Sequence, residues 1–277
     1  MIELTNKHTI QLAEFLQRNH PVTVLTGAGI STDSGIPDYR DHNGNWKRKQ
    51  PVQHQEFMSS PQVRRRYWAR SLIGWPAMQH AQPNPSHHQI NTLERTGLAK
   101  RVITQNVDRL HQKAGSHQTI DLHGRADEVI CMTCGLRSNR RMMHDACTLL
   151  NPAFESVTAT IAPDGDADLE IDFSAFRVPE CPACGGIVKP DVVFFGDNVP
   201  RPRVDECFAT LESSRGLLVV GSSLMVYSGF RFARHAQQNN IPLCILTRGK
   251  TRADDLATLK IDADISPTLQ ALGASLR

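Results

Sequence analysis

Two cysteine pairs have the spacing of metal ligands. Cys131-Met132-Thr133-Cys134 is followed by Gly135, and Cys181-Pro182-Ala183-Cys184 by Gly185-Gly186. Each pair reads as a tight knuckle that aims two thiolates at one tetrahedral ion, the zinc-ribbon pattern. The 46 residues between the pairs exceed ordinary ribbon spacing, so the intervening hairpin is expanded. A redox CxxC would open a helix after a strand, whereas Pro182 and the paired glycines suit a knuckle. Four thiolates leave no open coordination position, so such an ion is structural. A second chemical feature is Gly27-Ala28-Gly29-Ile30-Ser31, directly after the β-branched run Val22 to Thr26. Glycines there let the backbone approach a phosphate, and the following helix start offers free N–H groups. The same turn reads equally well as a sharp bend without a ligand. Thr32 stands where a dinucleotide fingerprint has its third glycine, and no acidic strand end follows about 20 residues on.

The elements that must position these residues alternate along the chain. Residues 6 to 19 carry a helical apolar stripe through Ile10, Ala13 and Leu16, stopped by Asn19, His20 and Pro21. Short apolar runs at 22–26, 101–104, 217–220 and 243–246 read as buried strands. Helical patterns precede several of them at 86–94, 204–211 and 230–238, with Ser86 as an expected N-cap. This alternation predicts an α/β fold, a doubly wound Rossmann-like parallel sheet whose ligands gather at the carboxyl ends of the strands. Two segments break the rhythm. Residues 41–85 are rich in Arg, Gln, Trp and Pro with a helical middle, and residues 125–189 carry the cysteine quartet and a long acidic loop. The expected division is therefore residues 1–124 with 190–277 as one nucleotide-binding domain, holding a helical insertion at about 41–85, and residues 125–189 as a small zinc-binding domain.

Composition narrows the function classes. The chain has 277 residues, 40% hydrophobic and 21% charged, which excludes a disordered chain. A net charge of +3 is too small to point to nucleic acid as the main partner. Apolar runs such as Leu217 to Val220 are far shorter than the roughly 20 residues of a spanning helix, so no membrane partner is expected. The N-terminus lacks the pattern of a secretory signal or a mitochondrial presequence. A cytoplasmic chain with reduced thiols is expected, four of its 7 cysteines as ligands and Cys147, Cys207 and Cys244 as small buried hydrophobes.

Six ordered motifs then carry a resemblance. GAGISTDSGIPDYR (27 to 40), TQNVDRLH (104 to 111), His123-Gly124, the two CxxC pairs, KPDVVFFGD (189 to 197) and GSSLMVYSGFRF (221 to 232) resemble the signatures of the sirtuins, the NAD-dependent protein deacylases. The likeness runs from about residue 10 to 265. RRRYWARSLIGWP (64 to 76), QPNPSHH (82 to 88), LNPAF (150 to 154) and APDGD (162 to 166) look most similar to class II sirtuins, the mitochondrial lipoamidase and ADP-ribosyltransferase type.

The resemblance implies a reaction in which an acyl group moves from lysine to the ADP-ribose of NAD with release of nicotinamide. Its partners would be acyl-lysine proteins or peptides, and its cofactors NAD and a structural Zn2+ on Cys131, Cys134, Cys181 and Cys184. His123 becomes the candidate general base, because a neutral imidazole can take a ribose hydroxyl proton. Asn106, with Asp108, would line the nicotinamide and ribose pocket and serve catalysis, while Gln105 orients the ribose. Gly27, Ala28, Gly29 and Ser31 would approach the pyrophosphate, Ile36 would wall the nicotinamide, and Asp38 and Arg40 would come from the loop behind, Arg40 toward phosphate. Gly221, Ser222 and Ser223 would hold pyrophosphate or ribose, and Thr247, Arg248, Gly249 and Ile265 the adenosine end. Asn106 and Asp108 also suit plain turn and capping roles.

On the substrate side, Val193, Phe194 and Gly196 fall where sirtuins pair with an extended peptide by β-augmentation, although they also suit a core strand. Tyr67 and Arg70 match a Tyr-x-x-Arg arrangement by which a related branch holds acidic acyl groups, sharing one helix face at i and i+3. With Arg64, Arg65 and Arg66 beside them, they equally fit a solvated basic helix. Two departures stand out: Thr247 replaces the usual Asn near the adenosine ribose, and Ser228 replaces a common proline. A mono-ADP-ribosyltransferase or lipoamidase would use the same NAD site. A non-enzymatic zinc-ribbon interaction module is the other alternative, weakened by the acidic residues Asp164, Asp166, Asp168, Glu170 and Asp172.

Overall fold

The computed structural model describes residues 7–47, 50–154, 160–161, 167–168 and 172–275. In chain order the strands are β1 (Val22–Thr26), β2 (Ala99–Thr104), β3 (Ile120–Asp121), β4 (Gly124–Cys131), β5 (Arg137–Asn139), β6 (Thr160–Ile161), β7 (Ala167–Asp168), β8 (Val188–Val192), β9 (Gly216–Val220), β10 (Leu243–Leu246) and β11 (Leu259–Ile261). The α-helices are α1 (Lys7–Asn19), α2 (His54–Ser59), α3 (Pro61–His80), α4 (Pro85–Arg95), α5 (Leu110–Lys113), α6 (Arg140–Leu150), α7 (Arg201–Glu212), α8 (Tyr227–Gln238) and α9 (Ile265–Ser275).

Six strands form one sheet in the order β11-β10-β9-β1-β2-β3, every pair parallel. This is the doubly wound arrangement: the chain builds outward from β1 through β2 to β3, then returns to β9 on the other side of β1. The switch point lies between β1 and β9, where a crevice opens at the strand ends. All five residues of β1 and of β9 are buried, as a sheet covered on both faces requires. Leu12, Leu16, Ile90, Leu93 and Leu269 of α1, α4 and α9 cover one face over Val24, Val102 and Leu218. Val204, Leu211, Phe232 and Ala236 of α7 and α8 cover the other over Leu25, Ile103 and Val219. The N-cap of helix α4 lies two residues earlier than expected. Asn84, not Ser86, is its N-cap, accepting from Ser86 N at 2.9 Å, with Pro85 in the first helical position where its missing N–H costs nothing.

A second sheet, antiparallel in the order β5-β4-β8, carries the cysteine knuckles. Its apolar residues Val129 and Val188, with Met143 and Cys147 of α6, share one cluster with Phe57, Trp68 and Leu72 of α2 and α3. The two interruptions of the sequence thus pack on each other, joining the helical segment within 41–85 to the knuckle segment. Strand β8 straddles the expected boundary at residue 189, running on to Val192. Strands β6 and β7 pair antiparallel. Asp164, Asp166 and Glu170 of the acidic loop lie outside the described residues. No helix among the described residues is long and apolar enough to cross a membrane.

Candidate active site

The crevice at the switch point is a cleft of about 860 Å³. Strand β1 ends in Gly27 and β9 in Gly221, and the two turns touch: Gly29 N donates to Gly221 O at 2.9 Å. A Cβ added at Gly27 would stand 2.7 Å from Cβ of Ser222, and one at Gly29 2.9 Å from Gly221 O. The glycines are therefore required first by the crossing of the turns, which leaves their backbone lining the cleft.

Most of the expected residues meet here. Gly27, Ala28, Gly29, Ser31, Ile36, Asp38, Arg40, Gln105, Asn106, Asp108, His123, Gly221, Ser222, Ser223, Thr247, Arg248 and Ile265 all line the cleft, as do Tyr67, Val193 and Phe194. Three do not. Gly249 turns against the 41–44 loop, where an added Cβ would be 2.2 Å from His42 O, and Lys250 lines the cleft instead. Gly196 sits in a turn (φ 79°) whose carbonyl accepts from Gln55 Nε2 at 3.1 Å, while Phe195 lines the cleft. Arg70, half-buried on α3, is not among the lining residues.

At the end of β2 a polar network is locked in place. Gln105 donates through Nε2 to Ser222 Oγ at 2.8 Å and to Thr26 O at 3.2 Å. Asn106 Nδ2 donates to Gly27 O and Ser31 Oγ at 3.2 and 3.0 Å. Ser31 Oγ donates to Asp108 at 2.7 Å, and Leu110 N caps the other carboxylate oxygen at 2.9 Å. Burial pushes the Asp108 pKa up, against these bonds. Arg40 is half-buried and held in place by a 2.7 Å bond to Gly44 O and by stacking 4.0 Å over Trp46.

His123 follows β3. Its Nδ1 lies 2.9 Å from Gln105 O and its Nε2 2.7 Å from Ser228 Oγ. A carbonyl can only accept, so Nδ1 carries the proton and Nε2 holds the lone pair of a neutral ring. Burial, with Arg203 and Arg231 nearby, pushes its pKa down to about 4, so the ring is neutral at pH 7.

A residue the sequence reading missed lies across the cleft. Arg140, the first residue of α6 after the N-cap Asn139, is only 2% exposed and lines the cleft with Tyr67, Ser71 and Trp75. Its guanidinium lies 4.9 Å over Trp68 and 4.7 Å over Trp75 and donates to Ser71 Oγ at 2.9 Å, yet its Nη1 has no partner. Burial lowers its pKa to about 10. A cation at a helix N-terminus also opposes the helix dipole. No local signal marks Arg140, because it reaches the cleft only through the packing of α6 on α3.

The four knuckle sulfurs lie within 4.8 Å of one another, with Cys131–Cys184 at 3.6 Å and Cys134–Cys181 at 3.7 Å. Tetrahedral sulfurs about 2.3 Å from zinc are about 3.8 Å apart, so the set fits that ion. Both knuckles close alike: Gly135 N donates to Cys131 O and Gly185 N to Cys181 O, each glycine at positive φ.

Comparison with known proteins agrees with this geometry. The family model described as the Sir2 family matches residues 27–228. An NAD-dependent protein deacetylase of Xanthomonas axonopodis pv. citri is 54% identical over 96% of this chain and 91% of its own. The NAD-dependent protein deacylase Sirt4 of Drosophila melanogaster is 47% identical over 94% of this chain and 85% of its own. A solved structure described as Sir2-p53 peptide-NAD+ superposes with a TM-score of 0.77 at 30% identity, covering 96% of this chain and 97% of that one. A Sir2 structure bound to a propionylated peptide gives 0.76 at 31% identity, covering 96% and 98%. A family match that takes in the glycine turn, His123 and the knuckles, together with relatives so similar over nearly the full length, means that this chain belongs to the Sir2 family.

Proposed function

We propose that the cleft holds NAD and an acyl-lysine side chain together, with His123 as the base of acyl transfer. The chain is an NAD-dependent protein deacylase. When bound, NAD supplies an ADP-ribosyl group whose bond to nicotinamide gives way to the acyl oxygen. The observation that carries the reading is the 2.9 Å contact of His123 Nδ1 with Gln105 O, which assigns the proton to Nδ1 and leaves Nε2 to take a ribose hydroxyl proton.

The fit to NAD rests on the two glycine turns that meet at the switch point and on a cleft of suitable volume. Gly27, Ala28, Gly29, Gly221, Ser222 and Ser223 hold the pyrophosphate and ribose with backbone and hydroxyl groups. Asn106 and Asp108, immobilised through Ser31, position the nicotinamide ribose, and Gln105 fixes both Ser222 and His123. Ile36 walls the nicotinamide, and Thr247, Arg248 and Ile265 take the adenosine end. Val193 and Phe194 flank the acyl-lysine, beside Tyr67. Zinc on Cys131, Cys134, Cys181 and Cys184 has a structural part, because Cys131 and Cys181 share an apolar cluster with Tyr67 and Phe194. A reducing cytoplasm suits the seven cysteines, none of which forms a disulfide.

Arg140, in place of Arg70, is the cation that meets the acyl group. A buried guanidinium whose Nη1 has no hydrogen-bond partner favours an acyl chain that ends in a carboxylate. A peptide panel differing only in acyl group, read by nicotinamide release, tests the reading. Acyl transfer in step with nicotinamide release is expected. Adenylate label ending on protein instead would mean ADP-ribosyl transfer.

A further inference from the structure

We propose that Ser228 is a positioning residue for the base, its hydroxyl steering Nε2 of His123 in the resting enzyme and receiving the proton-bearing Nε2 during acyl transfer. This rests on the reading of His123 as the base. Ser228 is the second residue of α8, and its Oγ lies 2.7 Å from Nε2. Because Nδ1 donates to Gln105 O, the hydroxyl must be the donor to Nε2 in the neutral ring.

The contact is built into the docking of α8. The next residue, Gly229, lies so near Gln105 that an added Cβ would be 2.4 Å from Oε1. Gln105 is in turn fixed to Thr26 O and Ser222 Oγ, and the His123 backbone accepts from Val193 N at 2.8 Å. The imidazole is thus held at both nitrogens by groups that are themselves held. A proline, common at this position among sirtuins, could make no such bond.

A hydroxyl suits both protonation states. The Ser228 hydrogen first rotates off Nε2 and frees its lone pair. The ribose O–H bond then breaks with its proton passing to Nε2, and Oγ accepts from the new Nε2–H, a charge-assisted bond. Arg203 and Arg231 are the charged groups acting on the ring, and both oppose its protonation. Ser228 Oγ offsets that opposition at the ring itself.

Two measurements test this. In the 15N spectrum of the resting protein, His123 should be the Nδ1–H tautomer. An Nε2–H tautomer would overturn the proposal whatever any variant does. In kinetics, Ser228→Ala should slow acyl transfer about 10- to 100-fold. Exchange of labelled nicotinamide into NAD, which precedes the base, should fall much less, so the ratio of exchange to deacylation rises. Ser228→Thr, which keeps the hydroxyl, should restore the wild-type ratio. Equal loss of both steps in Ser228→Ala, or no loss, would reject a positioning role. If His123→Ala abolishes transfer while Ser228→Ala equals wild type, the role of Ser228 alone fails.

Discussion

Ser31 ties the glycine turn to the end of β2 by donating to Asp108 across 2.7 Å, both residues being buried. The same hydroxyl accepts from Asn106 Nδ2, so one oxygen sets the position of two polar residues of the cleft. Ser31→Ala should leave a buried carboxylate oxygen short of a donor at a cost of about 1–3 kcal/mol. Urea unfolding should show a lowered midpoint with unchanged slope, and nicotinamide release should fall with it. An unchanged midpoint would show that the bond contributes nothing.

The cation at the acyl end can be identified by comparing two substitutions. Arg140→Met should weaken turnover of acyl-lysines ending in a carboxylate by about 10- to 100-fold relative to acetyl-lysine. Arg70→Met should leave that ratio unchanged, since Arg70 does not line the cleft. The reverse pattern, measured as kcat/KM ratios over one peptide panel, would return the role to Arg70.

Zinc removal should act through packing. Cys181→Ser, or a strong chelator, should release the ion and loosen the cluster that joins Cys131 and Cys181 to Tyr67, Trp68 and Phe194. Lower thermal stability and loss of deacylation are expected together, with zinc content followed by atomic absorption. A fully active, equally stable apoprotein would refute the structural role.

Buried histidines set an acid limit. His87 is held at a pKa of about 4 and His111 well below its usual value, in both cases chiefly by burial. Both stay neutral in the native state while the unfolded chain binds protons near 6.5. Their contribution is therefore complete above about pH 6.5 and is lost as pH falls toward 4, up to about 3 kcal/mol for His87. His87→Asn should flatten the fall of Tm between pH 6.5 and 4. An equally steep fall would place the acid sensitivity elsewhere.

The strands, the glycine turn and the cysteine knuckles were legible because each is a local pattern: a β-branched run, a pair of glycines, a CxxC. Those patterns carry the parallel sheet and the four converging sulfurs. Arg140 was not legible, since its place depends on how α6 packs on α3, 60 residues earlier in the chain. Arg70 has the spacing of an acyl-pocket residue but is not among the residues that line the cleft. Gly196 and Gly249 proved to be turn residues whose neighbours, Phe195 and Lys250, line the cleft. Motif spacing finds the segment, and a turn's geometry decides which of its residues faces in.

The central claim is that His123 is the base of an NAD-dependent acyl transfer. Purified wild-type protein and its His123→Ala variant, each given NAD and an acetyl-lysine peptide, should be followed by mass spectrometry for deacylated peptide and acyl-ADP-ribose. The account predicts both products, in equal amounts, from wild type and neither at a comparable rate from a folded, zinc-loaded His123→Ala protein. Deacylation by that variant at the wild-type rate, or by the wild type without NAD, would contradict it.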